Sequence, residues 1–478
     1  MSEAGRRGRL AGILFVLVWL SCAWFGSWEW NPNNAVRLFA ALSLVEEQDA
    51  TIDQYEGLTI DKARFGEHYY SDKAPGMTLM ALPAVALADA ATGQQARDIS
   101  IAQYDLATER FLKLRTRIAA ATTAALLTAI AAVLVFSLGT SLGGSAGAGV
   151  FAALAFALGT PMWGWSTTLF GHAPVAALFV VAIWAAVRGT EGAMPSTRHA
   201  AILGAALGWA VVVEYSAVIT GFAIGGFAVW RLRRWSLVEA RPALVAAAVP
   251  ALVAAAVLAG YNIFAFGTPF RLGYQGVVGF EGMNEGLFGL TYPRLDRMWE
   301  VTLGTRRGLI WCAPVAVVGL AGLVRLMMRR ETRALAVMAL AGASVVLFYN
   351  AAYAYWDGGN STGPRHLVPA LGYLAIGFGP AWTWVRSVAW RDSLSVVLLV
   401  SIAINLVIAS AEIATGGRDD FPLWSDVFEA RFLQAQLRTI PNEWFGWSAY
   451  GGLFLYLGIA AVLGWALLST LKGAASRA

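Results

Sequence analysis

The sequence predicts an all-α, polytopic integral membrane protein with about twelve transmembrane helices, and three observations carry that reading. First, 58% of the 478 residues are hydrophobic and only 14% are charged, whereas a soluble domain carries roughly 25% charged residues; mean hydropathy is +0.59. Second, apolar runs of the length needed to cross a bilayer, about 20 residues, recur from end to end. Third, arginines gather in short clusters between those runs: Arg6, Arg7 and Arg9; Arg231, Arg233 and Arg234; Arg325, Arg329, Arg330 and Arg333. Such clusters mark cytoplasmic connections. They account for the net charge of +5 without nucleic acid as a partner.

With the arginine clusters taken as cytoplasmic, the spans fall at 10–28, 115–138, 144–161, 172–188, 199–213, 216–231, 242–264, 308–325, 333–350, 366–386, 392–411 and 447–470. An even number places both termini in the cytoplasm of a bacterial-type inner (plasma) membrane, with membrane lipids as the surroundings. The first span ends in Ser21-Cys22-Ala23-Trp24-Phe25. That end is bulky and aromatic where cleavage of a signal peptide needs small residues, so the span is retained. Glu214-Tyr215 separates the fifth and sixth spans and sits at the outer interface, because a carboxylate at mid-bilayer costs roughly 2.5–3.5 kcal/mol. Cys22 and Cys312 both fall inside spans, which argues against a disulfide framework. Small residues such as those from Gly143 to Gly149 permit close helix packing.

The whole chain, 1–478, reads as one transmembrane domain whose polar residues collect on one face. Cytoplasmic connections are short and basic, whereas the outward ones are long: 29–114, 265–307, 351–365 and 412–446. Within the first, Val36, Phe39, Leu42 and Val45 recur at helical spacing opposite Arg37, Ser43 and Glu47, which predicts an amphipathic helix lying at the membrane surface. A second apolar stretch, Pro75 to Ala91, is interrupted by Pro83 and reads as another interfacial or half-inserted helix.

The densest polar constellation lies between these two helices. It comprises Asp53 and Tyr55, then Asp61 and Lys62, then His68, Tyr69, Tyr70, Asp72 and Lys73. Asp72 is placed to cap the helix that Pro75 begins, since the first N–H groups of a helix lack partners. That helix end carries partial positive charge and Lys73 adds a full one, which suits a lipid-linked phosphate. The same residues also fit a plain capped helix whose lysine meets lipid headgroups.

This layout resembles the glycosyltransferase C superfamily, membrane enzymes that transfer a sugar from a polyprenyl-phosphate donor to an acceptor outside the cytoplasm. Asp72-Lys73-Ala74-Pro75 is similar to the acidic-Lys-Pro motif of its protein mannosyltransferase-like and aminoarabinose transferase-like branches, with one residue inserted before the proline, and Tyr69-Tyr70-Ser71-Asp72-Lys73-Ala74-Pro75-Gly76 resembles a bacterial subgroup of glycosyltransferases. Phe288-Gly289-Leu290-Thr291-Tyr292-Pro293-Arg294 and Gly363-Pro364-Arg365-His366 are similar segments further on. The resemblance implies two interfacial helices and an acidic catalytic residue in the first outward connection. It implies donor phosphate held by Lys73, with Lys62, Arg365 and Arg37 as further cations, and inversion at the anomeric carbon by single displacement.

One departure bears on the base. Many relatives carry an Asp-Glu pair after the first span, where this chain has Asn31, Asn33 and Asn34. An amide is not a base near neutral pH, so the role passes to Asp61 or Asp53, with Asp61 favoured for its neighbour Lys62. Some relatives bind a divalent metal, for which Asp72 with His366, His172 or His68 is the available set; no cofactor is otherwise required. Tyr55, Tyr69, Tyr70, Asn34, Glu214, Tyr355, Trp356 and Asp357 are the candidates for sugar stacking and hydroxyl recognition. The expected partners are a polyprenyl-phosphate-linked sugar and an extracytoplasmic glycan, lipid or protein acceptor. Two other readings compete: a secondary transporter, and a binder of lipid-linked sugar without turnover.

Overall fold

In the computed structural model, residues 2–385, 387–414 and 420–475 are described; residues 415–419 of the 412–446 connection lie outside them. The fold is a helical bundle, and the apolar runs become helices in the expected order. Among the described residues, six are long and apolar enough to cross a membrane: Glu3–Trp24, Leu106–Gly143, Leu237–Phe266, Arg333–Ala352, Val388–Ala411 and Ala449–Lys472. The other anticipated spans are helical but shorter or broken. Gly221 divides Ala217–Thr220 from Phe222–Leu232, and Pro314 lies between Leu309–Cys312 and Ala316–Met327. These breaks follow from glycine's entropy cost and from proline's missing N–H.

Small residues let the helices touch. A Cβ on Gly322 would stand 1.7 Å from the carbonyl oxygen of Gly377, so Ala316–Met327 and Pro369–Trp384 meet backbone to backbone. The second such approach positions the site. A Cβ on Gly76 would lie 2.6 Å from the backbone of Val212 and Val213. The turn that carries Asp72 and Lys73 is thereby pinned against the end of Thr197–Val213, one residue before Glu214.

The connection 29–114 folds into the bundle. Its helix Pro32–Leu42 starts with proline in the first turn and is capped by Asn31, whose side chain accepts from the Asn33 N–H. Every residue from Asn33 to Leu42 is buried, on the polar face as well as the apolar one. The polar stripe is solvated by protein, because Glu214, Ser27 and Leu169 supply partners for Arg37 and Asn34. A short hairpin, Ala63–Phe65 with His68–Tyr70, leads to the second helix, Gly76–Thr92, which packs on the first. The expected Asp72 cap is absent there: Pro75 occupies the cap position with no side-chain hydrogen bond. The Asp72 carboxylate is instead taken by the Lys73 ammonium, a charge-assisted bond that outcompetes a neutral N–H.

Candidate active site

A cavity of about 290 Å³ opens where six stretches of chain meet. The start of Pro32–Leu42 contributes Asn31, Asn33 and Arg37, and the turn before Gly76–Thr92 contributes Asp61, Asp72 and Lys73. His172 opens the helix His172–Arg188, and Glu214 closes Thr197–Val213. The connection 265–307 adds Tyr274, Phe280 and Met283; the connection 351–365, with the residue after it, adds Tyr353, Tyr355, Asp357, Arg365 and His366.

Charge is arranged in discrete units. The Lys73 Nζ lies 2.7 Å from Asp72 Oδ2 and 3.1 Å from Asp61 Oδ2, all three side chains being mostly buried. Burial alone pushes the Asp72 carboxyl above its ordinary range and nearby Asp61 pushes the same way, while Lys73 and Arg37 pull it down without prevailing. For Lys73, burial opposes the charge, but the Asp61 and Asp72 carboxylates outweigh it and hold its pKa above 10.5. Arg37 donates to Glu214 Oε1 at 2.8 Å and to the Asn33 amide oxygen. Arg365 differs from both. It has no carboxylate partner among the described residues, and its guanidinium lies 5.2 Å from the Phe170 ring centroid. Four buried atoms around the cavity have no hydrogen-bond partner: Asp72 Oδ1, Arg37 Nε, Arg365 Nε and His366 Nε2. Orphaned polar atoms on this scale are costly unless a ligand meets them.

Of the residues singled out in sequence, Asp61, Asp72, Lys73, Arg37, Arg365, His172, His366, Glu214, Tyr355 and Asp357 line this cavity. The others lie elsewhere. The Asp53 carboxylate contacts His68 Nδ1 at 2.6 Å and accepts from the Tyr69 N–H at 2.6 Å. Lys62 donates to the Glu56 carboxylate at 2.6 Å and to its carbonyl at 2.7 Å. Tyr55 stacks on Phe39 with ring centroids 4.6 Å apart, and Tyr70 packs against Phe65 and Phe266. Tyr69 lies beneath Lys62, and Trp356 lies against the core. The Asn34 amide donates to Ser27 Oγ and the Trp28 carbonyl and accepts from the Leu169 N–H.

Tyr274, Phe280 and Met283 were not singled out in sequence. The aromatic spacing of an otherwise glycine-rich connection was the available signal. Glu29, two residues ahead of Asn31, is a buried carboxylate in the right part of the chain. It faces a different cleft, where Arg438 at 3.2 Å and Lys113 at 3.7 Å neutralise it.

Of the donors anticipated for a divalent metal, Asp72, His172 and His366 line the cavity, and the two imidazole rings pack edge to face with centroids 5.0 Å apart. No three His, Cys, Asp or Glu side chains converge on one point among the described residues, and the Lys73 ammonium already stands at Asp72. His68 lies outside the cavity on Asp53. This donor set does not fit a metal, and no step below runs through one.

No protein-family model and no curated protein matches the sequence. Among solved structures, ArnT from Cupriavidus metallidurans bound to undecaprenyl phosphate is similar over 98% of this chain and 74% of its own length, with a TM-score of 0.50 and 14% identity. Its apo structure gives a TM-score of 0.48 at the same identity and coverage. The chain thus has the polytopic membrane fold of ArnT.

Proposed function

We propose that this protein is a polyprenyl-phosphate-sugar-dependent glycosyltransferase that passes the sugar to a glycan, lipid or protein acceptor outside the cytoplasm by inverting displacement. The observation that carries it is Arg365, a cation without a carboxylate partner among the described residues, in the same cavity as a lysine bracketed by two buried carboxylates. A phosphodiester brings one negative charge and free oxygens, which match that guanidinium and its orphaned Nε. ArnT, whose fold this chain shares, was crystallised with undecaprenyl phosphate.

In the reaction, the acceptor hydroxyl attacks the anomeric carbon from the face opposite the phosphate. Its proton passes to a carboxylate, the C–O bond to phosphate breaks, and the electron pair leaves on the phosphate oxygen. Arg365 and Lys73 stabilise that oxygen as charge develops. Asp61 is the base we favour. It is the more open of the two carboxylates on Lys73, with its side chain 11% exposed against 4% for Asp72, and has the longer contact to it. Asp53 is committed to His68 and Tyr69 outside the cavity. The aromatic side of the cavity, Tyr274, Phe280, Tyr353 and Tyr355, offers ring faces to a sugar. The helix His172–Arg188 has the cavity at its first residue and a basic residue at its last, which supports an outward-facing site. Polar groups gathered at one end of the helices also favour an interfacial enzyme over a transporter, whose sites lie near mid-membrane.

Binding of undecaprenyl phosphate to purified protein tests the reading. Arg365→Gln should weaken it at least tenfold, as expected when a charge-assisted bond of about 1.5–3 kcal/mol is lost. Because Arg365 has no carboxylate to strand, the variant should keep its fold. Wild-type affinity in that variant would remove Arg365 from the phosphate site.

A further inference from the structure

At the far end of His172–Arg188, about 25 Å along the helix from the first cavity, lies a second cavity of about 170 Å³. It sits among the ends of His172–Arg188, Thr197–Val213, Phe222–Leu232 and Leu237–Phe266, and its walls are chiefly small aliphatic groups, with Leu203, Val229, Leu232 and Leu244 the largest of them. Its polar lining groups are already satisfied: Thr190 Oγ1 donates to Ala186 O and accepts from Arg231 Nε, and Ser196 Oγ accepts from the His199 N–H and lies 2.9 Å from its Nδ1. Apolar cavities of roughly this size stay dry and take apolar ligands.

The rim has the opposite character. Arg231 and Arg234 both donate to the Thr190 carbonyl, which fixes two guanidinium groups side by side just past the end of a helix. Arg233 lies over the Trp230 ring at 4.4 Å, and Arg234 over Trp235 at 4.6 Å. Nearby Arg188 is neutralised by Glu191, and Glu239 caps its own helix through Ser236. Arg231, Arg233, Arg234 and Arg198 have no carboxylate partner among the described residues. Arg233 and Arg234 are exposed, beside the exposed apolar side chains Leu237 and Val238. A dry apolar slot under a rim of unneutralised guanidinium groups matches one kind of molecule by shape and charge.

We propose that this cavity binds an anionic phospholipid, with part of one acyl chain between Leu203, Val229 and Leu244 and the phosphate on Arg231, Arg233 and Arg234. Arginine suits the task because its planar fork retains free N–H donors after bonding the Thr190 carbonyl. Negatively charged headgroups are drawn to such juxtamembrane clusters, and zwitterionic ones are not. The site is separate from the transfer cavity, and its occupancy does not depend on the reaction assigned there.

Native mass spectrometry of the full-length protein, with equimolar phosphatidylglycerol and phosphatidylcholine of the same acyl chains, tests it. Wild type should retain phosphatidylglycerol at least tenfold over phosphatidylcholine. The double variant Arg233→Gln, Arg234→Gln should lose that preference. Ala200→Phe, which fills the slot and leaves the arginines, should lower phosphatidylglycerol retention at least tenfold. A photoactivatable acyl chain on wild-type protein, which needs no variant to fold, should label the segments containing Leu203, Val229 and Leu244. Equal retention of the two lipids by wild type, unchanged preference in the double variant, or labelling elsewhere would overturn the proposal. So would displacement of phosphatidylglycerol by undecaprenyl phosphate more readily than by phosphatidylglycerol itself.

Discussion

Two polar clusters lie within the connection 29–114 and are built from nearly the same residue types. The outer one, Asp53 with His68 and Lys62 with Glu56, is partly exposed, and each of these charges already has a partner. The inner one, Asp61, Asp72 and Lys73, is buried, shares one ammonium between two carboxylates and leaves Asp72 Oδ1 unmet. Water screens the first and is largely excluded from the second, so equal charges carry unequal energies. What separates a hairpin ornament from a candidate reaction centre is burial together with incomplete pairing.

The largest expected effect lies in the inner cluster. Asp61→Asn keeps the shape and removes the basicity, and a general base contributes about 10²–10⁴-fold. Turnover, measured as release of free polyprenyl phosphate in the presence of acceptor, should fall at least a hundredfold. Affinity for undecaprenyl phosphate should stay near wild type, the pattern of an interaction made mainly in the transition state. If Asp72→Asn collapses turnover while Asp61→Asn does not, the two carboxylates exchange roles.

Next comes stability. The Arg37–Glu214 pair joins the first buried helix to the end of Thr197–Val213, with side chains 1% and 9% exposed. Removing one partner strands a buried charge, so Arg37→Ala should lower stability by about 3–5 kcal/mol. Arg37→Ala with Glu214→Gln should recover part of that loss. Thermal unfolding in detergent reads both; equal melting of the single variant and wild type would show that the pair is not closed.

The smallest effect belongs to the outer cluster. The hydrogen bond and charge of Asp53 raise the pKa of His68 above 6.5. A raised histidine pKa stabilises the fold fully below the unfolded value and ceases to do so as pH rises through the folded one. Asp53→Asn should therefore lower the melting temperature at about pH 5.5 and leave it nearly unchanged at about pH 9. The His68 titration should move back toward 6.5, and turnover should change less than twofold. A deeper loss of activity would transfer the base to the outer cluster.

Much of this contrast was beyond the reach of the sequence, for identifiable reasons. Apolar runs and arginine clusters located the helices, because span length and charge placement are local properties. The segment around Lys73 was also legible from local residue types, and that around Arg365 from the family resemblance. The pairing of Arg37 with Glu214, 177 residues apart, was not. The 36, 39, 42, 45 periodicity revealed one apolar face of Pro32–Leu42, but periodicity does not distinguish a polar face solvated by lipid headgroups from one solvated by protein. Asp72 read as a cap because its spacing suited one; the adjacent lysine decided otherwise. In the chain Asp61 was favoured over Asp53 only for its neighbour Lys62, which pairs with Glu56 instead; the two are separated by their partners and by burial, 39% against 11% exposure of the side chain.

A structure of the full-length protein with undecaprenyl phosphate bound tests the account most directly. The phosphate should lie in the inner cavity, with its oxygens within hydrogen-bond distance of Arg365 and Lys73 and with Asp61 facing the space beside it. A phosphate seated instead on Lys62 and His68, with Arg365 and Lys73 making no contact, would contradict it.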